Sequence, residues 1–295
     1  MEILIECPVC KAQTFENFIK CKDFTVSQEL FQIVNCTACG FKFTNPRPGP
    51  LEIGKYYESS DYISHSNSSK GIINKIYQVV RKRAINGKIH LINSEVGKSE
   101  KSILDIGCGT GEFLAACKSQ GWKTKGIEPN DSARSQGINN FGLDVQKEEV
   151  LASLTERFEI ISMWHVLEHV HLLRTRVKQL YSLLNDRGKA IIAVPNYTSA
   201  DAEMYKEHWA AYDVPRHLYH FSPDLIKRLF KEEGLTHIKS LPMVYDSFYV
   251  SMLSEKYKSG SNNFFSAFRN GFMSNQKAGN NPERYSSVIY IFQKD

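Results

Sequence analysis

Ile103-Leu104-Asp105-Ile106-Gly107-Cys108-Gly109-Thr110-Gly111-Glu112-Phe113-Leu114 is the stretch that decides the fold. It reads as a buried strand, a glycine turn and the start of a helix. Glycines at 107, 109 and 111 let the backbone approach a bound molecule at points where a Cβ would collide. A second strand-like run, Thr124-Lys125-Gly126-Ile127-Glu128, ends in a carboxylate. An acid at the tip of the second strand of such a unit is placed to accept hydrogen bonds from a ribose. The two strands together predict a nucleoside cofactor. A dinucleotide fits poorly, because its fingerprint needs glycine at the first, third and sixth positions. Counting from Gly107, the sixth position is Glu112, whose charge at a helix start repels pyrophosphate.

The pattern Asp105-x-Gly107-x-Gly109-x-Gly111 resembles motif I of the class I S-adenosylmethionine (SAM)-dependent methyltransferases. The cofactor of that family carries no phosphate and has an amino-acid tail with a sulfonium. The resemblance continues through Phe158-Glu159-Ile160-Ile161-Ser162-Met163-Trp164-His165-Val166-Leu167-Glu168-His169-Val170. That run is similar to the fourth strand and following turn of small-molecule methyltransferases, including those that methylate quinone precursors. Asn185-Asp186-Arg187-Gly188-Lys189 and the apolar run after it resemble their fifth-strand entry. The resemblance covers roughly 102–234. It implies a Rossmann-like α/β fold with a seven-stranded, mostly parallel sheet whose last strand is antiparallel. It also implies cofactor contacts from Asp105, Gly107, Cys108, Gly109, Gly111, Phe113, Glu128 and Pro129. Trp164 and His165 would line the methionine end, at the carboxyl edge of the sheet where such folds bind ligands.

Composition sets the outer limits. A chain of 295 residues suggests about two domains, and 42% hydrophobic with 23% charged residues is ordinary for a globular protein. The net charge of +5 is small, and the one compact basic run, Arg81-Lys82-Arg83, reads as a solvated helix face. A nucleic-acid partner is therefore not expected. No stretch approaches the ~18 apolar residues of a membrane span. Met1-Glu2-Ile3-Leu4-Ile5-Glu6 lacks the basic start and long apolar core of a secretory leader, so a cytoplasmic location is expected.

Four of the seven cysteines form two pairs, Cys7-Pro8-Val9-Cys10 and Cys36-Thr37-Ala38-Cys39. Two-residue spacing lets both thiolates of a knuckle face one ion, and two knuckles supply the four sulfurs of a structural zinc site. Phe15-Glu16-Asn17-Phe18-Ile19-Lys20 and Leu30-Phe31-Gln32-Ile33-Val34-Asn35 are strand-like and make a hairpin between them, with Cys21 outside the metal set. The expected organisation is a zinc ribbon over 1–50, a helical linker or cap over 51–98, and a methyltransferase domain over 99–295. That domain would carry insertions at about 196–220 and 251–283.

Within the linker, the prolines of 44–50 mark a stiff connector and 51–57 a short helix. Residues 59–71 read as a polar loop. An amphipathic helix is expected over 72–92, with Ile73, Ile76, Tyr77, Val80, Ala84 and Ile85 on one face. Farther on, strands are expected at 102–106, 124–127, 142–145, 158–163 and 189–194, and helices at 112–119, 132–139, 167–184 and 223–233. Two longer antiparallel strands follow, at 236–249 and 285–293. Phe264, Phe265, Phe268 and Phe272 share a helical face, read first as a helix packed on the domain. The sharper alternative is a lid over an apolar acceptor, or a surface for a lipid-linked one.

Methyl transfer to a hydroxyl or an acidic carbon needs a base near neutral pH, and histidine is the natural one. His165, Glu168 and His169 after the fourth strand are catalytic candidates, as is His217 in Asp213-Val214-Pro215-Arg216-His217-Leu218-Tyr219-His220. The overall expectation is a methyltransferase acting on a small molecule, at oxygen ahead of carbon, with SAM and a structural zinc. The alternatives are an RNA methyltransferase that grips RNA with the ribbon, and a SAM-binding or zinc-mediated adaptor without turnover.

Overall fold

The computed structural model describes residues 1–58, 72–97, 100–261 and 263–295, with the backbone alone along 72–80. The polar run expected at 59–71, and the side chains expected to form the first half of the linker helix face, lie outside the described residues.

Three strands open the chain: β1 (Phe15–Lys22), β2 (Leu30–Cys36) and β3 (Lys42–Thr44). Helix α1 (Ile72–Glu95) follows. An alternating series then begins with β4 (Ser102–Ile106), α2 (Glu112–Ser119), β5 (Lys123–Ile127), α3 (Asp131–Phe141) and β6 (Val145–Gln146). It continues through β7 (Phe158–Trp164), α4 (Leu173–Leu183) and β8 (Leu184–Pro195). Then come α5 (Ala200–Tyr205), β9 (Tyr219–His220), α6 (Pro223–Glu232), β10 (Leu235–Pro242), α7 (Asp246–Ser259), α8 (Phe264–Ala278) and β11 (Ser287–Lys294).

The main sheet has seven strands in the order β10-β11-β8-β7-β4-β5-β6. The pairs β5–β6, β4–β5, β4–β7 and β7–β8 are parallel, and β11 runs antiparallel to both β8 and β10. Every residue of β4 is buried, as expected for a central strand with both faces covered. The strand order reverses between β4 and β7, so the loops leaving these two strands border the crevice in which such sheets take ligands.

The second sheet, β1-β2-β3-β9, draws its fourth strand from deep in the chain, through Lys42↔His220 and Phe43↔Tyr219. Cys36 and Phe43 of this sheet, with Cys7 and Phe41 beside it, join the same buried cluster as Leu104, Ile161 and Ile192 of the main sheet. The cysteine-bearing sheet and the region around His217 are thereby tied together.

Several boundaries differ from the sequence expectation. The helix expected over 167–184 is broken: Leu167–His169 is one turn of 3-10 helix, and α4 starts only at Leu173. The break releases the His171 carbonyl, which accepts from the Tyr219 hydroxyl at 2.7 Å and from Arg47 Nη2 at 3.3 Å. The strand expected over 236–249 stops at Pro242, and Asp246 begins α7. The third strand is only Val145–Gln146. At the fifth strand the pairing starts earlier, at Leu184, and skips register before Lys189. Arg187 at φ 62° and Gly188 form this irregularity, and a Cβ on Gly188 would lie 2.8 Å from the Asn185 carbonyl oxygen. Helix α8 does pack on the domain, but through Ala267, Gly271, Ser274 and Ala278. Its four phenylalanines are exposed, Phe265 by 82%. Small residues let α8 approach α7 closely, which turns the aromatic stripe outward. Among the described residues, no helix is long and apolar enough to cross a membrane.

Candidate active site

The glycine turn after β4 has three positive φ values, 74° at Gly107, 57° at Gly109 and 85° at Gly111. Side chains are excluded at two of these for packing reasons. A Cβ on Gly107 would lie 2.4 Å from Val166 Cγ2, and one on Gly111 would lie 2.7 Å from Leu143 Cδ1. At Gly109 nothing among the described residues lies within 4 Å of that position, so this residue is open on the described side. The Gly109 amide donates to Glu128 Oε2 at 2.8 Å, and the Asn130 amide donates to Glu128 Oε1 at 2.9 Å. A carboxylate has about four lone-pair positions, so Glu128 keeps acceptor capacity beyond these two bonds. Burial raises its pKa, against the pull of those amides. Pro129, just beyond, is exposed at the turn into α3.

Under the turn, Asp105 is buried and accepts from the Ser162 hydroxyl at 2.6 Å. Burial pushes its carboxyl up to about 7, against the opposing pull of Ser162 and Lys88. Cys108 packs toward Gly126, and burial raises its thiol pKa. Glu112 is neutralised at the helix start: Arg81 of α1 pairs with it at 2.6 Å, and the Thr110 hydroxyl donates to it at 2.6 Å.

At the end of β7, Trp164 stands edge-on to Phe113, ring centroids 5.8 Å apart, with Lys88 Nζ 4.2 Å from its ring centre. This contact joins the glycine-turn helix to the fourth-strand turn. Lys88 was not expected here, although its position three residues after Ile85 and four before Ile92 places it on the apolar face of α1. Its burial lowers its pKa, with Asp105 the first opposing charge.

His165 has φ 56° and links two acids, with Nε2 2.9 Å from Asp246 and Nδ1 3.4 Å from Glu168. Burial works against its charge, but the two carboxylates prevail and raise its pKa to about 10. Asp246 escaped the sequence reading, because 236–249 read as one strand and no periodicity marks the helix start. Glu168 is fully buried. Burial would raise its carboxyl, but His165 and the neighbouring histidines hold it below the usual range.

His169 and His217 meet edge to face, centroids 4.6 Å apart. Burial, with His217 beside it, lowers the His169 pKa to about 4. His217 Nε2 is 3.9 Å from Glu168 and 3.9 Å from Asp213. Thus the four catalytic candidates lie in one continuous cluster. Arg216, buried to 1% exposure, supports it by pairing with Asp213 at 2.7 Å and Asp23 at 3.0 Å. His220 is set apart: its Nε2 lies 3.2 Å from the Thr44 hydroxyl, and burial holds its pKa well below the usual imidazole value.

The four paired cysteines come together at the other end of the second sheet. Cys7 Sγ lies 3.7 Å from Cys39 Sγ, and Cys10 Sγ lies 3.5 Å from Cys36 Sγ. These are not disulfide distances. They match the sulfur separation of about 3.8 Å expected for four thiolates at 2.3 Å from a tetrahedral zinc.

A sheet of this order, with a glycine turn backed by an acid-tipped second strand, defines a class I SAM-dependent methyltransferase. The chain belongs to the methyltransferase-domain family, whose model matches residues 77–240. The match leaves the paired cysteines outside it. Over 154 residues the chain is 26% identical to an uncharacterized methyltransferase of Staphylococcus carnosus, covering 51% of this chain and 70% of that protein. Over 116 residues it is 26% identical to a ubiquinone biosynthesis O-methyltransferase of Coxiella burnetii, covering 37% of this chain and 50% of that relative. The chain thus spans only about half the length of the latter. Among solved structures, the fold is similar to a magnesium protoporphyrin IX methyltransferase of Synechocystis with bound SAH. The TM-score is 0.55 at 12% identity, over 81% of this chain and 97% of that one. A putative sarcosine dimethylglycine methyltransferase of Galdieria sulphuraria gives a TM-score of 0.50 at 13% identity, over 74% of this chain and 86% of that one.

Proposed function

We propose that the chain transfers the methyl group of SAM to an oxygen of a small-molecule acceptor. The observation that carries this reading is the series of contacts from the Gly109 turn, across the Phe113–Trp164 pair, to the cluster of His165, Glu168, His169 and His217. SAM supplies a methyl carbon activated by its sulfonium, and displacement leaves a neutral thioether. The protein's share is to hold the acceptor in line and remove its proton.

Gly109 admits the nucleoside without a Cβ in the way, and Glu128 has lone pairs left for the ribose hydroxyls. Gly107, Gly111 and Cys108 shape the turn, Asp105 supports it from below, and Phe113, Pro129 and Trp164 border it. His165, held by Asp246, places a cation beside the methionine end. The proton of the acceptor passes to the Glu168–His169–His217 cluster. The ubiquinone-pathway relative, an O-methyltransferase by name, favours oxygen over carbon. The outward aromatic stripe of α8 favours an apolar or lipid-linked acceptor. Cys7, Cys10, Cys36 and Cys39 would hold a structural zinc, giving a ribbon over 1–50 ahead of a cap over 51–98 and the catalytic domain over 99–295.

Calorimetry with SAM, followed by mass analysis of methylated phenols offered as a panel, tests the proposal. SAM binding together with a mass gain of one methyl on a hydroxyl supports it. Failure of the chain to bind SAM would overturn it.

A further inference from the structure

Both carboxylate oxygens of Glu168 are buried and have no hydrogen-bond partner among the described residues. His165 Nδ1 lies 3.4 Å away and His217 Nε2 3.9 Å away. A buried carboxylate left in this state is costly unless something charged completes its surroundings.

The two imidazoles beside it are turned the same way. His169 directs Nδ1 to the carbonyl oxygen of Arg216 at 3.1 Å, with the Tyr57 hydroxyl 2.9 Å from the same nitrogen. His217 directs Nδ1 to the carbonyl oxygen of Ala211 at 2.9 Å. A carbonyl only accepts, so Nδ1 of His217 carries the ring proton and its Nε2 keeps a lone pair; in His169 the same proton placement satisfies the Arg216 carbonyl, with the Tyr57 oxygen as a second acceptor. An imidazole pinned by Nδ1–H to a backbone carbonyl is the usual arrangement of a metal-ligating histidine. One ligand atom from each of Glu168, His169 and His217 lies within 4.8 Å of the others.

The surrounding charge also calls for a cation. Arg216 is shared by Asp23 and Asp213, and His165 is shared by Asp246 and Glu168, so carboxylates outnumber cations two to one in these contacts.

We propose that Glu168, His169 and His217 hold a divalent metal ion of the zinc class, with an open coordination position facing the acceptor. Two imidazoles and one carboxylate suit ions of borderline softness, and three protein ligands leave room for a fourth. Bonds of about 2.1 Å would place the ligand atoms about 3–3.5 Å apart, and they already lie within 4.8 Å of one another. The role of the ion rests on the methyltransferase reading: an acceptor hydroxyl bound there releases its proton to solvent more readily, and with the ion in place the three side chains act as ligands in place of taking that proton themselves. The binding itself does not depend on that reading.

The test uses the full chain, stripped with a chelator and dialysed against Zn²⁺ or Co²⁺ without SAM or acceptor. Two equivalents are expected in the parent, and one in Glu168→Gln and in His217→Ala, with melting curves confirming that the variants are folded. In the Co²⁺ form, the remaining equivalent of those variants keeps the thiolate-to-cobalt charge-transfer band of the cysteine site. Cys36→Ser loses that band and keeps the other ion. A parent that binds one equivalent, lost in Cys36→Ser, would overturn the proposal. So would two equivalents retained in Glu168→Gln. A parent that binds one equivalent, lost in Glu168→Gln, supports the proposal while removing the zinc ribbon.

Discussion

The Gly109 amide is bound to the carboxylate of Glu128, 2.8 Å from nitrogen to Oε2, so the first glycine turn and the tip of the second strand are one structural unit. This bond lets a single carboxylate fix the loop and still present lone pairs to a ribose. Glu128→Ala should therefore weaken SAM binding in two ways, by removing ribose acceptors and by freeing the loop. Hydrogen bonds to charged groups contribute about 1.5–3 kcal/mol, which corresponds to a loss of roughly ten- to a hundredfold in affinity. Gly109→Val should abolish binding, because its side chain enters the open space and its φ of 57° disfavours a β-branched residue. Calorimetry reads both, and parent-like affinity in either variant would remove the site from this loop.

Asp105 should make the ligand-free chain less stable as pH rises. Its folded pKa of about 7 lies above the ordinary aspartate value of 3.8, because burial disfavours the charge. Between these values the folded state binds more protons than the unfolded one. The contribution is fully present below 3.8 and is lost as pH rises through 7. The slope is at most about 1.4 kcal/mol per pH unit. Asp105→Asn cannot titrate, so its melting temperature should gain on the parent between pH 5 and 8. Parallel melting profiles across that window would contradict the buried, proton-holding carboxyl.

Strongly patterned parts of the molecule were legible in the sequence. The glycine turn, Glu128 and the alternating strands and helices carry local signals, since backbone φ, strand burial and helix period are set within a few residues. The antiparallel β11 followed from the resemblance. What escaped depends on long-range contacts. The break at 170–172 exists because Tyr219 and Arg47 bind the His171 carbonyl, and nothing local announces it. Asp246 reaches His165 only because the chain leaves β10 at Pro242 and starts a helix. Lys88 carried a faint signal, a lysine in the apolar register of α1. The outward turn of the α8 phenylalanines went unread because Ala267, Gly271 and Ser274 offer a tighter packing face than an aromatic stripe.

Loss of the cysteine site should be felt in the active site. β3 bridges the two regions, pairing with β2 on one side and with Tyr219–His220 on the other. Cys36→Ser removes one of the four gathered sulfurs, at the end of β2. The expected outcome is about one zinc fewer per chain, a lower melting temperature, and faster amide exchange along β1–β3. Exchange should also quicken at 217–220. Unchanged zinc content in the variant would separate these cysteines from any metal.

Arg216 should be among the costliest residues to replace. Its guanidinium is 1% exposed and binds Asp213, Asp23 and the Tyr56 carbonyl, the last at 2.9 Å. These partners come from the loop before β9, the β1–β2 turn and the segment after β3, so one side chain ties three segments. Arg216→Met would leave Asp23 and Asp213 facing each other with no cation between them. Breaking a buried pair in this way costs about 3–5 kcal/mol. Asp23 keeps amide bonds from Thr25, Val26 and Ser27, so its turn should survive, while Asp213 loses its main partner. Destabilisation should therefore concentrate at 211–218, the segment that carries His217. Adding Asp23→Asn to Arg216→Met should recover part of the lost stability by removing one of the stranded charges. Denaturant melts of the parent, both single variants and the double variant measure this coupling. Additive effects of the two substitutions would show that the guanidinium does not bridge the segments.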